Sequence, residues 1–270
     1  MKLKIYGSRG SIAFFGRENV QYGGNTVCSV LDIDGHFVVL DCGSGLMQFY
    51  YDMKDKFPSG FKFDCLLSHL HLDHIIGFST FPPIYDPNSQ IRIFTRSRGE
   101  GSLISQVFGI FRKPYWPVNI AESECAEIIE IKCEDSFMLS GVIKVTSFWS
   151  EHHNETVGFR IESGGKVMVY LLDYEIGADM DKYSKLTEFC KNADMVVFDA
   201  TYLPEDYRPK KGWGHSTFED GVKLAGAASC GKMIFSHTCQ DYTDEILNAA
   251  KARFDEKRFF WAYDGMEAEI

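Results

Sequence analysis

The residues best suited to chemistry form one short run, SHLHLDH at positions 68–74, directly after an apolar segment. At a strand end followed by a tight loop, His69 and His71 can point at one ion, while Asp73 and His74 point at a neighbouring ion. Imidazole and carboxylate groups favour zinc, manganese or iron, and such groups are costly to bury without a partner. The run therefore predicts a metal site, and a solvated polar loop is the weaker alternative.

The elements that would position this run are short strands, with helices more prominent later in the chain. Strand-like runs occupy residues 3–6, 28–33, 37–41, 65–68, 91–95, 128–132, 142–149, 157–161, 167–173, 195–199, 233–236 and 259–263. Helical patterns occupy residues 46–54, 182–192, 216–229 and 243–254, and Ser216 with Glu219 forms a capping-box pattern. Strand-rich halves that each finish with helices predict an α/β (α+β) fold of four layers, αββα, with two mixed β-sheets packed together and helices outside. We expect one domain over residues 1–270.

The composition and charge of the chain limit which partners it is expected to bind. The 270 residues are 45% hydrophobic, which is enough for a substantial core, and the formal net charge is -10. That sign argues against extended nucleic acid held mainly through phosphate neutralisation. We expect a cytoplasmic protein and no membrane partner, because neither a bilayer-spanning apolar run nor a signal-peptide core is present. The eight cysteines contain no C-x-x-C pair, which favours buried free thiols.

The histidine-rich run is similar to the signature of the metallo-β-lactamase superfamily, and further pieces of the pattern follow in order. Residues 41–45 (DCGSG) resemble the Asp-x-Gly turn of that family, and His152 lies six residues before Gly158 as its third histidine does. Asp173 ends an apolar run and matches the bridging carboxylate, and His237 matches the last ligand. The resemblance covers nearly the whole chain.

The resemblance implies two divalent metal ions, zinc first, with manganese or iron as alternatives. It implies one ion held by His69, His71 and His152 and a second held by Asp73, His74 and His237, with Asp173 shared. A hydroxide bridging the ions would be the nucleophile, because bound metal lowers the pKa of water. His153 is an alternative to His152, although the spacing to Gly158 favours His152.

A second pair of motifs narrows the activity. Residues 198–202 (FDATY) and 212–217 (GWGHST) resemble paired motifs of the phosphodiesterase branch, which includes ribonuclease Z and cyclic-nucleotide phosphodiesterase-like enzymes. The resemblance implies that Asp199 orients His215, which contacts the phosphate or protonates the leaving alkoxide. Asp73, Asp199 and His215 are therefore the predicted catalytic residues. A helix-entry residue that satisfies backbone groups is the alternative for His215.

Two glycine-containing segments near the start resemble the opening of phosphodiesterase-like metal-dependent hydrolases. They are GSRGS at residues 7–11 and YGGNT at residues 22–26. Glycines there let the backbone pass close to the metal site, and we expect Arg9 and Asn25, with His215, to meet an anionic substrate. A plain turn with a surface arginine is an equal alternative for Arg9.

The leading hypothesis is a phosphodiesterase acting on a small or cyclic phosphate diester, and the alternative is a ribonuclease Z-like tRNA 3′-end endonuclease. The resemblance implies a protruding arm between His152 and Asp173 for the second activity, but residues 162–165 there suggest a simple hairpin. Two hypotheses are weaker. One is a di-iron flavoprotein, which would have glutamate at position 71, and the other is a non-enzymatic binding module. Residues 98–120 could form a lid, a subunit interface or an irregular core flank, and the sequence does not decide among these. A homodimer is compatible with the family resemblance.

Overall fold

The fold is built from two β-sheets. A computed structural model describes residues 1–132, 134–150 and 156–270. In chain order the strands are β1 (Lys2–Gly7), β2 (Cys28–Ile33), β3 (His36–Leu40), β4 (Lys62–Leu66), β5 (Gln90–Thr95), β6 (Ala126–Glu130), β7 (Ser136–Met138), β8 (Lys144–Trp149), β9 (Val157–Ser163), β10 (Lys166–Leu171), β11 (Met195–Asp199), β12 (Lys232–Ser236), β13 (Phe259–Trp261) and β14 (Glu267–Glu269).

Helices cover the outer faces of the sheets. The α-helices are α1 (Leu46–Met53), α2 (Leu72–Ile75), α3 (Leu103–Phe108), α4 (Met180–Cys190), α5 (Pro204–Tyr207), α6 (Phe218–Ala227) and α7 (Asp244–Lys251). Short 3₁₀ helices span Lys54–Lys56, Ile76–Thr80, Pro82–Tyr85, Ile120–Glu122 and Arg208–Lys210. Among the described residues, no helix is long and apolar enough to cross a bilayer.

Both sheets are mixed, and each has a parallel part. The first sheet has the order β14-β1-β2-β3-β4-β5-β6, and its strands from β3 to β6 run parallel. The second has the order β13-β12-β11-β10-β9-β8-β7, and its strands from β10 to β13 run parallel. Parallel strands end at the same edge of a sheet, so the loops that follow them lie side by side.

Alternation of side chains along the strands creates the layers. In β11, Met195 and Val197 face the core between the two sheets, whereas Val196 and Phe198 pack towards helix residues such as Leu224. A third apolar cluster lies between the first sheet and its own helices. The predicted four-layer αββα arrangement is confirmed, and one domain over residues 1–270 stays a prediction.

The cap of α6 differs from the sequence expectation by one residue. The capping box joins Thr217 and Asp220, not Ser216 and Glu219. Ser216 is not available as a cap because its Oγ donates to the carbonyl of Tyr174 at 2.7 Å. This serine fastens the loop before α6 to the loop that follows β10.

Four apolar residues of the stretch at 98–120 flank the core, and most of the stretch is exposed or half-buried. Val107, Phe108, Phe111 and Ile120 are buried, and the Phe108 ring packs edge-on against Phe78 at 5.2 Å. Seven cysteines within the described part of the chain are buried and free, as expected. Cys133 lies outside the described residues.

Candidate metal centre

The predicted ligands come together where the parallel parts of the two sheets end. Asp41 follows β3, His69 follows β4, Asp173 follows β10 and His237 follows β12, while Asp199 is the last residue of β11. Asp41, Asp173 and His237 have left-handed backbone with φ of 57°, 52° and 62°. Such φ values are uncommon for residues other than glycine and concentrate at functional sites.

Among the described residues, two of three groups of ligand-competent atoms lie side by side. His69, His71 and Asp173 form one group, and Asp73, His74 and His237 form the other, with the ligand atoms of each group within 4.8 Å of one another. The third group, Asp173, His215 and His237, overlaps both of these. Asp173 lies between the first two groups, because its Oδ1 is 3.6 Å from His69 Nε2 and its Oδ2 is 3.1 Å from His74 Nε2. This placement fits a carboxylate shared by two ions.

Hydrogen bonds orient the His74 and His69 rings. His74 Nδ1 lies 2.8 Å from Asp41 Oδ2, and because a carboxylate only accepts, Nδ1 carries the proton. Ser68 Oγ donates to Asp41 Oδ2 at 2.8 Å and so accepts from His69 Nδ1 at 3.1 Å. Tyr170 completes the support by donating to Asp41 at 2.9 Å. Both imidazoles therefore direct Nε2 into the cluster, as metal-binding histidines require.

The same reasoning shows which ring nitrogen of His237 carries the proton. Thr201 Oγ1 donates to Asp199 Oδ1 at 3.1 Å and therefore accepts from His237 Nδ1 at 2.8 Å. His237 Nε2 then lies 3.1 Å from Asp73 Oδ2 and 3.3 Å from Asp173 Oδ2. Asp41, Ser68 and Thr201 support the ligands without having been predicted to do so, although each lies within or beside a motif.

The donor set fits divalent metal ions. His74 Nε2 and His237 Nε2 face each other at 3.3 Å, and when both rings are neutral their lone pairs repel unless a cation lies nearby. Burial opposes protonation of His74, but the carboxylates of Asp173 and Asp73 outweigh it and hold its pKa well above the usual range. Burial instead holds the pKa of His69 well below it. The carboxylates thus favour positive charge beside His74, where a metal ion would take the place of the proton, and imidazole with carboxylate is the donor set that zinc, manganese and iron prefer.

His215 and Asp199 lie together next to the first two groups. His215 Nδ1 donates to Asp199 Oδ2 at 2.8 Å, and the His215 ring stacks on the His237 ring at 5.0 Å. Burial lowers the pKa of His215, but the carboxylates of Asp199 and Asp173 outweigh it and raise that pKa to about 9. The side chain is 11% exposed, so a proton on Nε2 is able to reach a bound molecule.

Arg9 occupies a buried position with backbone partners. Its guanidinium donates to the carbonyls of Gly23, Cys239 and Tyr242 at 3.0, 3.2 and 2.8 Å, and the residue is 0% exposed. These contacts fasten the first loop to the loop after β12. The surface-arginine alternative does not fit, and substrate contact by Arg9 stays a prediction with no exposed atom to support it.

Asn25 is half-buried, and its side chain also has partners within the protein. Its Oδ1 accepts from Ser44 Oγ at 3.0 Å, and its backbone N–H donates to Asp264 Oδ2 at 2.9 Å. Substrate contact by Asn25 likewise stays a prediction. His152 and His153, the alternatives for a further ligand, lie outside the described residues.

The first loop nevertheless reaches the cluster through its backbone. Ser11 N–H donates to Asp73 Oδ2 at 2.7 Å. A methyl group on Gly10 would overlap the His237 ring, so this position requires glycine. The expectation that glycines let the backbone approach the site holds at Gly10.

Comparison with known proteins identifies the family of this chain. The model of the beta-lactamase superfamily domain matches residues 36–238. A ribonuclease Z of Haloarcula marismortui is 23% identical over 91% of this chain and 91% of its own length. Among solved structures, the metallo-beta-lactamase fold protein YhfI from Bacillus subtilis matches with a TM-score of 0.73 at 17% identity, covering 100% of this chain and 98% of its own.

Human tRNase Z, short form, matches with a TM-score of 0.71 at 17% identity, covering 100% of this chain and 99% of its own. These matches confirm the resemblance stated from the sequence and the expectation of a metal-dependent hydrolase. The expectation that argued against extended nucleic acid as partner is wrong, because proteins similar over nearly the whole chain are named ribonuclease Z and tRNase Z. A net charge summed over the chain does not report the charge at one site.

Proposed function

The chain belongs to the beta-lactamase superfamily domain family, and from that premise we propose that it is a metal-dependent phosphodiesterase of the ribonuclease Z kind, cleaving a phosphodiester bond in RNA. The observation that carries the proposal is the His215–Asp199 pair, joined at 2.8 Å beside the two ligand groups. Hydrolysis of a phosphodiester requires a nucleophile, charge stabilisation and a proton for the leaving oxygen. The ligand cluster suits the supply of a nucleophile and the stabilisation of charge. His215 suits the donation of a proton to the leaving oxygen.

We infer two metal ions, with zinc as the first choice and manganese or iron as alternatives. One would be held by His69, His71 and Asp173 and the other by Asp73, His74 and His237, with Asp173 shared. When bound, divalent ions make a water nucleophilic near neutral pH and neutralise charge on the phosphoryl oxygens. His152 or His153 would add a further ligand to the first ion.

Asp199 determines where the His215 proton lies. Its Oδ2 holds the Nδ1 proton of His215 and also accepts the backbone N–H of Asp173 at 3.0 Å. Protonated His215 therefore presents its second proton on Nε2, which would transfer to the leaving alkoxide oxygen. Asp199 then stabilises the orientation of the ring, and Tyr202 limits its movement by an edge-on contact at 5.7 Å.

RNA as substrate is supported by the relatives, and the hairpin limits how RNA would be held. Strands β9 and β10 are joined by a two-residue turn at Gly164 and Gly165, with φ of 57° and 75°. This turn provides no protruding arm between residues 163 and 166. An RNA substrate would therefore depend on surfaces close to the cluster.

The test is cleavage by zinc-loaded protein of a precursor tRNA carrying a 3′ trailer, with bis-p-nitrophenyl phosphate and a cyclic nucleotide assayed in parallel. We expect endonucleolytic cleavage of the precursor at enzyme concentrations far below that of RNA. Hydrolysis of bis-p-nitrophenyl phosphate without RNA cleavage would reject RNA and keep a phosphodiesterase. Inactivity on all three would reject the proposed function.

A further inference from the structure

One carboxylate joins the loop that carries His215 to the segment that carries Asp173. Glu175 lies two residues after Asp173 in the chain. Its Oε1 accepts the backbone N–H of Gly212, and its Oε2 accepts that of Gly214, each at 2.8 Å. His215 directly follows Gly214. A single side chain therefore holds the backbone immediately before the predicted proton donor.

The backbone of this loop depends on such a hold because of its two glycines. Gly212 and Gly214 have φ of 87° and 88°, in the left-handed region. Glycine adopts this region without steric cost, but it also has many other conformations available and loses entropy when it is fixed in one. Hydrogen bonds to an ionised carboxylate are stronger than those to a neutral acceptor, and here they offset that loss. We therefore expect the loop at residues 212–215 to keep its shape through Glu175.

Glu175 is itself held in place, and a neighbouring serine reinforces the contact. Tyr207 Oη donates to Glu175 Oε1 at 2.6 Å, and Glu175 is half-buried. Ser216 Oγ donates to the carbonyl of Tyr174 at 2.7 Å and accepts from the backbone N–H of Ile176 at 3.0 Å. The residues on both sides of Glu175 are thus bonded to the residue that follows His215. These bonds join the two segments on both sides of the predicted proton donor.

We propose that Glu175 is a positioning residue for His215, an inference that rests on the proposed function. Asp199 determines which nitrogen of the His215 ring carries the proton. Glu175 would determine where that ring lies relative to Asp173, the carboxylate shared by the two proposed ions. Because both oxygens of Glu175 bind the loop, Glu175 acts through His215 and not on the substrate. A displacement of about 1 Å from the productive geometry can lower a rate by about 100-fold.

The experiment compares Glu175→Gln and Glu175→Asp with the wild type. Glutamine keeps the size of the side chain but turns an N–H₂ group towards one of the two backbone donors. Aspartate keeps the charge, but it is one methylene shorter and does not reach both donors. The matched control is Asp194→Asn. Asp194 accepts the backbone N–H of Val167 at 2.8 Å and lies at the opposite end of β11 from Asp199.

We expect both Glu175 variants to lower kcat for bis-p-nitrophenyl phosphate by about 10- to 100-fold, while KM and bound zinc stay close to wild type. KM is spared because the lost positioning matters only when the proton is transferred. In the His215→Ala background, Glu175→Gln should cause no further loss, because a residue that acts through His215 has nothing left to position. Asp194→Asn should keep the wild-type kcat.

Hydrogen exchange gives a readout that does not depend on hydrolysis. The amides of Gly212 and Gly214 should exchange about 10-fold faster in both Glu175 variants, because each amide loses a charged acceptor or its geometry. The control variant should leave these two amides unchanged. Mass spectrometry of the peptide that covers residues 212–216 measures this directly.

Several results would overturn the inference. They are a wild-type kcat in either Glu175 variant, loss of zinc from Glu175→Gln, unchanged exchange in the loop, or a further loss of about 10-fold in the His215→Ala background. Failure of the proposed function has a different signature, because the wild type would then hydrolyse no phosphodiester. Faster exchange in the variants would in that case keep Glu175 as the residue that holds the loop, and unchanged exchange would remove that role as well.

Discussion

Replacement of His215 by alanine should abolish most diester hydrolysis while leaving the metal ions in place. His215 contributes a proton donor and, in the proposed ligand assignment, no metal ligand. Its Nδ1 lies 2.8 Å from Asp199, and its side chain is 11% exposed. The substitution therefore removes one proton donor at the site and leaves the proposed ligands unchanged. We expect turnover of bis-p-nitrophenyl phosphate to fall by about 10² to 10⁴, which corresponds to about 3 to 5 kcal/mol.

The pH profile gives the same prediction a second readout. Burial lowers the pKa of His215, but Asp199 and Asp173 outweigh it and raise that pKa to about 9, and bound cations would lower it. A general acid works in its protonated form, so the wild-type rate should fall as pH rises through that pKa, at or below about pH 9. His215→Ala should lack this basic limb.

A matched control is available in a second histidine–aspartate pair. His36 Nε2 lies 2.7 Å from Asp64 Oδ2, outside the candidate site. His36→Ala should keep the wild-type rate and the basic limb. An unchanged rate or an unchanged basic limb in His215→Ala, with metal content equal to wild type, would remove His215 from the mechanism.

The remaining predictions concern the ligands, one glycine and one buried carboxyl group. Asp173→Ala should lose bound metal, because this carboxylate reaches both ligand groups; elemental analysis at wild-type metal content would contradict this. Gly10→Ala should lower metal affinity by about 10-fold or more through overlap with the His237 ring, whereas Gly226→Ala, with open space around it, should bind metal normally. Burial raises the pKa of Asp264 to about 6 despite opposing backbone hydrogen bonds. The folded state therefore holds this proton more tightly than the unfolded chain, and stability should fall as pH rises from about 4 to about 6, by about 2 kcal/mol. Thermal unfolding of Asp264→Asn across that range should show a smaller decline, and parallel curves for both proteins would contradict the assignment.

The layer order was predictable from the sequence because strand periodicity is local. Residues 195–198 form one short apolar run that is buried on both faces of the sheet, and such a run is visible in adjacent residues. Two strand-rich halves then require two packed sheets. The histidine-rich run was equally visible, since a loop that binds no metal seldom collects so many ligand-competent side chains in one short run.

Supporting contacts were less predictable because they join distant parts of the chain. Thr201 accepts from His237, 36 residues away, and Tyr170 donates to Asp41, 129 residues away. Arg9 carries a charge that would attract an anionic substrate, but its guanidinium donates to three backbone carbonyls. Two of these carbonyls are more than 200 residues away in the sequence, and the third is 14 residues away. The net charge gave a wrong expectation about nucleic acid for a related reason. It is a sum over all surfaces of the protein, and the fold separates those surfaces from the site.

The most direct test of the central claim is cleavage of the precursor tRNA as zinc is titrated into protein stripped of metal. We predict no cleavage by the stripped protein and a rate that rises until two zinc ions are bound per chain. His215→Ala should bind the same zinc and remain about 10² to 10⁴ slower throughout. Cleavage that is independent of zinc, or full zinc binding without hydrolysis of any phosphodiester, would contradict the account.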